Sequence, residues 1–443
     1  MNSVNLVFLT LGELLQRYRQ ERGMTQVQLA ELSGVSRGNI SKIENGVIQR
    51  PDYKTIQPLI SVLEIPLEEL LEPLVFAKPQ SDTLLALLHD SFSYQNASLS
   101  AKIASYLLLE SEDENSDVIA EKILLTAEQF PDNTEIKLAL LDTVIAYSRS
   151  HGMQPQLAQG LLQKYLMERD DFSKLEKTFR SGKSILNYAE FLSIENRITL
   201  YYKLGVHAYH LRRYPECIEL SKRIVIEDET ESSFKAYSIL MICSSYFHQE
   251  QYELAEKYLK AFSLFDFPFV KENVDFMTAK LNERKGQTDL AIMQLQQCLN
   301  TSFYKMNIVN SLLTIYFSKH DHDSIQKLLE CENEFIGSDL SNPIIKTGHA
   351  YYFMNKGKFL NMIGLHNEAV ACLVKSVSIL YEISKEDEEL ICKIEKTRIK
   401  MEKAVQEGKN LTDVDVVNLS QELDEYLVEI QKKGLIKRVL WLS

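Results

Sequence analysis

The chain has 443 residues, too many for one compact core, which implies two or three domains or a repeat array. Apolar residues make up 45% and charged residues 25%, the balance of a soluble globular protein, and 16 Gly with 10 Pro favour helices over β-rich folds. The net charge is −13, yet residues 1–58 hold seven Lys/Arg against five Asp/Glu, a net of +2, so the acidic remainder carries −15 and only the N-terminal segment is suited to face a polyanion.

The opening MNSVNLVFLTLGELL lacks a basic n-region and a small-residue cleavage site, so no secretory signal is expected. No run approaches about 18 apolar residues, so no membrane span is expected and the chain reads as soluble and cytoplasmic. The six cysteines (Cys217, Cys243, Cys298, Cys331, Cys372, Cys392) form no CxxC pair and fall in apolar helical patterns; reduced core residues are expected, with no metal and no cofactor.

In LGELLQRYRQER, Leu11, Leu14, Leu15 and Tyr18 stand at helical spacing, and Gly23 ends that helix. Thr25 caps a second helix, with Gln28 completing a capping box. Gly34 supplies a tight turn and Val35 plugs the core beside it. Ser36 caps a third helix with Ile40 and Ile43 inward, which leaves Arg37, Gly38, Asn39, Ser41 and Lys42 outward. A fourth helix follows Pro51-Asp52 with Ile56, Leu59, Ile60 and Leu63 inward, and a short fifth lies near Pro66–Leu71.

Gln26, Ala30, Gly34, Ile40 and Ile43 have helix-turn-helix spacing, in which the second helix of the pair enters the major groove. The stretch TQVQLAELSGVSRGNISKIENG, followed by Arg50-Pro51, resembles the Xre/Cro/phage-repressor family over about residues 9–71. That resemblance implies phosphate contacts at Gln26 and Arg50 and base contacts at Ser36, Arg37 and Gly38. Arg37 is the first candidate for reading guanine bidentately, and Asn39, Ser41 and Lys42 are candidates for contacts to backbone or base. Gly38 departs from the polar residue common there. A single module of net +2 binds weakly, and a homodimer reading two half-sites of double-stranded DNA is the physical remedy.

Residues 72–83 read as a Pro-bounded linker, and residues 84–380 as successive amphipathic helices. Five segments, 204–220, 242–258, 279–295, 312–328 and 357–373, each end one helix, turn, and start another with a small residue: Cys217, Ala255, Ala291, Ser324 and Ala369. This is the tetratricopeptide (TPR) pattern, for which a right-handed α-superhelix is expected. Residues 84–200 contain further helix pairs whose phase the sequence does not give. Inward candidates for a bound peptide are Tyr202, Tyr209, Tyr237, Ser244, Asn273, Lys280, Arg284, Asn310, Tyr351, Lys358 and Asn361. Amides suit its backbone, cations its carboxylate, and rings its apolar side chains. Residues 381–443 read as two further helices that either cap the stack or form a dimer contact.

Other motifs fail on inspection. RSGKS (180–184) has Lys177 where a phosphate loop needs glycine. EDENSD (112–117) continues with Val118 and Leu124 where a calcium loop needs glycine and a bidentate acid. KHDHDS (319–324) lies at an expected turn, and the phenylalanines 262, 265, 267 and 269 are expected as repeat core. No nucleophile–base spacing is present, so no enzyme is expected.

An all-α chain that joins an Xre-type module to a TPR array resembles the RRNPP peptide-pheromone regulators, PlcR- and NprR-like. The resemblance implies a cytoplasmic homodimeric quorum-sensing regulator switched by a short signalling peptide. The alternative is a DNA-binding regulator controlled by a protein partner.

Overall fold

The computed structural model describes residues 9–383 apart from 111–114, 131–132, 172–173, 302–304 and 337–342, together with Lys396 and Ile399. Among the described residues every regular element is a helix. The expected C-terminal helix pair lies almost wholly outside them. No described helix is long and apolar enough to cross a membrane. Contacts divide the chain into two units: residues 1–168 with 184–192, and residues 169–183 with 193–443.

The first unit begins with α1 (Leu11–Glu21), α2 (Gln26–Ser33), α3 (Arg37–Glu44), α4 (Tyr53–Leu63) and α5 (Leu67–Phe76). The local sequence starts each of the first four. Thr10 and Thr25 form capping boxes with Glu13 and Gln28, while Ser36 and Asp52 accept from the backbones of Asn39 and Thr55. Leu14, Leu15, Leu29, Ile40, Ile43, Ile56, Leu59 and Leu63 are fully buried, each contributing about 1.5–3 kcal/mol of apolar burial. Gly12 lets α1 and α3 cross closely, since a Cβ there would lie 2.3 Å from the Ile43 carbonyl oxygen.

Five more helices follow in this unit: α6 (Ser81–Ser91), α7 (Ala97–Glu110), α8 (Ser116–Gln129), α9 (Thr134–His151) and α10 (Gln154–Glu168). Residues 72–76 are the last turn of α5 and 81–83 the first of α6, so only Ala77–Gln80 lie between helices. One continuous apolar cluster runs from Leu11 to Leu157 and includes Leu70, Leu71 and Leu74 of α5 with Leu84, Leu87 and Leu88 of α6. Polar contacts cross the same seam: Tyr53 donates to the Asp90 carboxylate, and Lys102 pairs with Glu72 at 3.0 Å.

The second unit contains most of α11 (Leu175–Ser184) and then five successive pairs. These are α12 (Ile194–His210) with α13 (Tyr214–Glu227), α14 (Ser233–His248) with α15 (Tyr252–Phe262), and α16 (Pro268–Arg284) with α17 (Thr288–Thr301). The last two are α18 (Lys305–Lys319) with α19 (His322–Glu330) and α20 (Pro343–Met362) with α21 (His366–Ile383). Each helix packs on its pair mate, and α12 and α14, like α18 and α20, also touch as first helices, the arrangement of a TPR-like array.

The backbone fixes the repeat register. In four of the five pairs the amide of the small position bonds the carbonyl four residues back: Cys217 to Arg213, Ala255 to Gln251, Ala291 to Gln287, and Ala369 to Leu365. In the fourth pair that amide belongs to Ile325, bonding Asp321, and not to Ser324 as the sequence pattern suggested. The cause is the cap. Asp321 accepts from the Ser324 amide, which makes Ser324 the third residue of α19 and turns it away from the pair contact, where Ile325 is fully buried. The inter-helix turn is equally regular, with a left-handed residue five before the register position in all five pairs: Arg212, Glu250, Gly286, His320 and Gly364.

Among the cysteines, Cys217, Cys243 and Cys298 are buried as expected, and burial pushes the Cys217 thiol up to about 11. Cys331 departs from expectation: it is exposed, because α19 ends at Glu330 and leaves it in the following turn. Phe262 is fully buried and Phe265, Phe267 and Phe269 pack on the same cluster. Arg180–Ser184 close α11, and Val118 and Leu124 lie inside α8.

Candidate nucleic-acid interface and ligand-facing helices

The α2–turn–α3 unit presents one exposed face. Gly34 adopts φ 72, ending α2 in the left-handed conformation that lets the chain reverse into α3. The Ser33 hydroxyl donates to the Leu29 carbonyl at 2.6 Å and accepts from the Val35 amide, which tightens the turn. Ser36, Arg37, Gly38, Asn39 and Lys42 are exposed along α3, and Ser41 is half-buried, its hydroxyl accepting from Asn45.

Ion pairing sorts the module's cations. Arg19 is tied to Glu44, Arg22 to Glu64, and Arg17 to Glu69 and Glu21. Among the described residues Arg37 and Lys42 pair with no carboxylate. The small positive excess of this segment therefore sits largely on α3. Arg50 is exposed on the loop before α4. A Cβ at Gly38 would meet nothing within 4 Å, so the glycine leaves an open notch on this face.

Gln26 is positioned by an interaction that spacing did not reveal. Its Nε2 donates to Glu44 Oε2 at 2.9 Å, on the same carboxylate that receives Arg19 Nε and Nη2. Arg19 Nη1 meanwhile donates to the Met24 carbonyl at 2.8 Å. Gln26 itself is half-buried. Arg19 and Glu44 are both buried in the fold.

Three comparisons bear on this region. Residues 15–70 match the family model described as a helix-turn-helix. The N-terminal domain is a helix-turn-helix domain. It is similar to that of the HTH-type transcriptional repressor RghR of Bacillus subtilis, 47% identical over 62 residues, covering 14% of this chain and 46% of that one. It is also similar to SlrR of the same organism, an HTH-type transcriptional regulator, 37% identical over 62 residues, 14% of this chain and 41% of that one. The chain thus matches less than half the length of these relatives. Residues 390–432 match the family described as Spo0E-like sporulation regulatory protein, on a segment outside the described residues save Lys396 and Ile399. A crystal structure of Bacillus thuringiensis PlcR with the peptide PapR7 and DNA aligns over 61% of this chain and 98% of that one, at 16% identity and a TM-score of 0.21, too low to bear on fold or function.

In the second unit, part of the expected peptide set is brought together. Tyr202 on α12 and Tyr237 on α14 have ring centroids 6.4 Å apart, and Phe269 on α16 stacks on Tyr237 at 4.2 Å. Asn273 donates to the Phe269 carbonyl one turn back on α16 at 2.8 Å. Burial pushes the Tyr202 hydroxyl up to about 12.

Tyr209 and Ser244 lie beside each other but are 4% and 3% exposed, which makes them packing residues here. Lys280 is buried against Glu283 at 2.9 Å, and Arg284 stands exposed over the Phe247 ring. Asn310 is buried, donating to the Gly348 carbonyl while its own oxygen has no donor. Tyr351 is half-buried and Lys358 exposed, both on α20. Asn361 lies apart in the last turn of α20, its amide oxygen 2.8 Å from His366 Nδ1. His320 and His322 flank the Asp321 cap of α19, so KHDHDS is a helix start.

Proposed function

We propose that the chain is a transcriptional regulator of the RRNPP type, which binds operator DNA as a homodimer through α3 and is switched by a short signalling peptide held on the first helices of the repeat pairs. The observation that carries the DNA half is the exposed, unpaired Arg37 and Lys42 on a helix held by buried Ile40, Ile43 and Glu44, in a domain 47% identical to that of a transcriptional repressor. Arg37 reads base edges, Lys42 and Arg50 hold phosphates, and Ser36, Asn39, Ser41 and Gln26 place the helix in the groove. Gly38 leaves room for close approach.

The peptide half is supported by the aromatic file Tyr202–Tyr237–Phe269 beside Asn273, with the cations Arg284 and Lys358 on later first helices. Rings, an amide and cations are what an extended peptide requires. The match at residues 390–432 supports a further regulatory segment and a place for the protein in sporulation control.

Operator fragments selected from random duplexes by the full-length protein, then titrated at several salt concentrations, test this reading. The expected result is one selected sequence with two half-sites about one helical turn apart. Its affinity should shift when culture peptides below about 1 kDa are added. Absence of any selected sequence overturns the DNA half. A selected operator whose affinity ignores such peptides, together with one stoichiometric protein recovered on the repeat unit, replaces the peptide with a protein partner.

A further inference from the structure

We propose that Arg212 is the point at which the repeat unit fixes a carboxylate of its ligand. The nature of that ligand rests on the peptide reading above; the anion site itself does not.

Arg212 is the left-handed residue of the turn between α12 and α13, at φ 57. That conformation belongs to the fold, since the equivalent residues are Glu250, Gly286, His320 and Gly364. Glycine meets the requirement without steric cost and occupies two of the five turns. The turn itself therefore does not call for an arginine. Backbone bonds from the Arg212 amide to the Tyr209 carbonyl and from the Arg213 amide to the Ala208 carbonyl, both 2.9 Å, fix the direction in which that side chain leaves.

The neighbouring residue takes the local carboxylates. Arg213 pairs with Glu176 at 2.7 Å and Glu216 at 3.1 Å, and Lys183 reaches the other oxygen of Glu216 at 2.6 Å. Arg212 has none. Its Nε and Nη2 are buried and lack a hydrogen-bond acceptor, and among the described residues no carboxylate is within ion-pair reach. A buried guanidinium edge without an anion is costly, and folds rarely leave one unsatisfied.

The unsatisfied pair of nitrogens is chemically specific. Nε and Nη2 form the edge that grips a carboxylate through two parallel bonds. The same chain shows the filled version, where Arg19 holds Glu44 through those two atoms at 2.6 and 2.8 Å. The Arg212 charge also opposes the rise that burial gives the hydroxyls of Tyr214 on α13 and Tyr351 on α20.

The test uses the full-length protein and two kinds of probe. Inorganic sulfate is titrated calorimetrically into the native protein and into Arg212→Gly and Arg212→Lys. The glycine variant matches Gly286 and Gly364 and keeps the fold, with a melting temperature at or above the native value. Sulfate affinity is expected to fall about tenfold or more in Arg212→Gly and less in Arg212→Lys. Equal sulfate binding by native protein and Arg212→Gly, or none by either, overturns the site.

Random heptapeptide pools with free or amidated C-termini, each made with and without Asp/Glu, are then passed over both proteins and the retained peptides weighed. Retention that depends on Arg212 and on the free terminus assigns the terminal carboxylate, whereas retention that follows Asp/Glu assigns a side chain. Sulfate bound through Arg212 with no peptide retained from any pool upholds the anion site and overturns the peptide reading. Peptides retained equally by Arg212→Gly do the reverse.

Discussion

Arg19 and Glu44, 25 residues apart, meet in a two-pronged ion pair of 2.6 and 2.8 Å, with side chains only 11% and 2% exposed. The pair joins α1 to the end of α3, the helix proposed to face DNA, and Gln26 completes it from the start of α2. All three elements of the reading head are thus pinned at one carboxylate.

Removing one partner leaves the other charged and buried. Glu44→Ala is expected to cost about 3–5 kcal/mol, whereas the double change Arg19→Met with Glu44→Leu recovers most of that loss. Denaturant unfolding of the full-length protein, followed by a signal from the N-terminal unit, measures both. Similar stability of Glu44→Ala and the native protein would refute the pinning role.

Two glycines in the same domain should respond oppositely. Gly12→Ala drives a methyl into the Ile43 carbonyl and is expected to cost about 3 kcal/mol. Gly38→Ala meets open space in a helix and is expected to gain up to about 1 kcal/mol of stability. If the methyl occupies the notch that DNA approaches, operator affinity falls while the melting temperature rises.

On the proposed reading, Arg37 and Lys42 separate base reading from phosphate holding. Arg37→Ala is expected to lose about 1–3 kcal/mol of operator affinity and to relax preference at one base pair per half-site. Lys42→Ala should weaken all sequences alike and lower the salt slope by about one per module. Both positions are exposed, so melting curves should stay within about 0.5 kcal/mol of native. Anisotropy titrations on selected and scrambled duplexes check each claim.

Acid should loosen the start of α14. Burial alone would raise the Asp228 carboxyl, but the hydroxyls of Ser232 and Thr230 and the Thr230 amide hold it below its ordinary 3.8. A carboxyl depressed in the folded state stabilises fully above its unfolded value, and that stability is lost as pH falls below about 4. Asp228→Asn should therefore be less stable at neutral pH and show a shallower decline between about pH 4 and 2, as followed by circular dichroism.

The reading head was legible because its signals are local. Thr25 with Gln28, Ser36, and the Ile40–Ile43 spacing act within one or two turns, and all appear where spacing placed them. The Arg19–Glu44–Gln26 junction was not, because nothing in the local sequence distinguishes a buried pair from two surface charges 25 residues apart. The repeats were legible at their small residues but slipped by one in α19, where the cap and not side-chain size sets the register. Arg212 escaped notice for a related reason: it stands in a turn, outside the helix faces that periodicity ranks. Among the peptide candidates, spacing put Tyr202 and Tyr237 on one face, and their ring centroids lie 6.4 Å apart. It could not tell that Tyr209 and Ser244 face the adjoining helix.

The apolar cluster that runs unbroken from Leu11 through α5 and α6 to Leu157 governs how this protein can be cut. A fragment ending at residue 71 would carry the whole helix-turn-helix and still discard the cover of Leu70 and Leu71, along with the Asp90 partner of Tyr53. Such a piece should be sticky and only marginally folded. Extended to Glu168, and carrying α6–α10 with it, the piece keeps most of its interior and should be far better suited to isolated work on DNA.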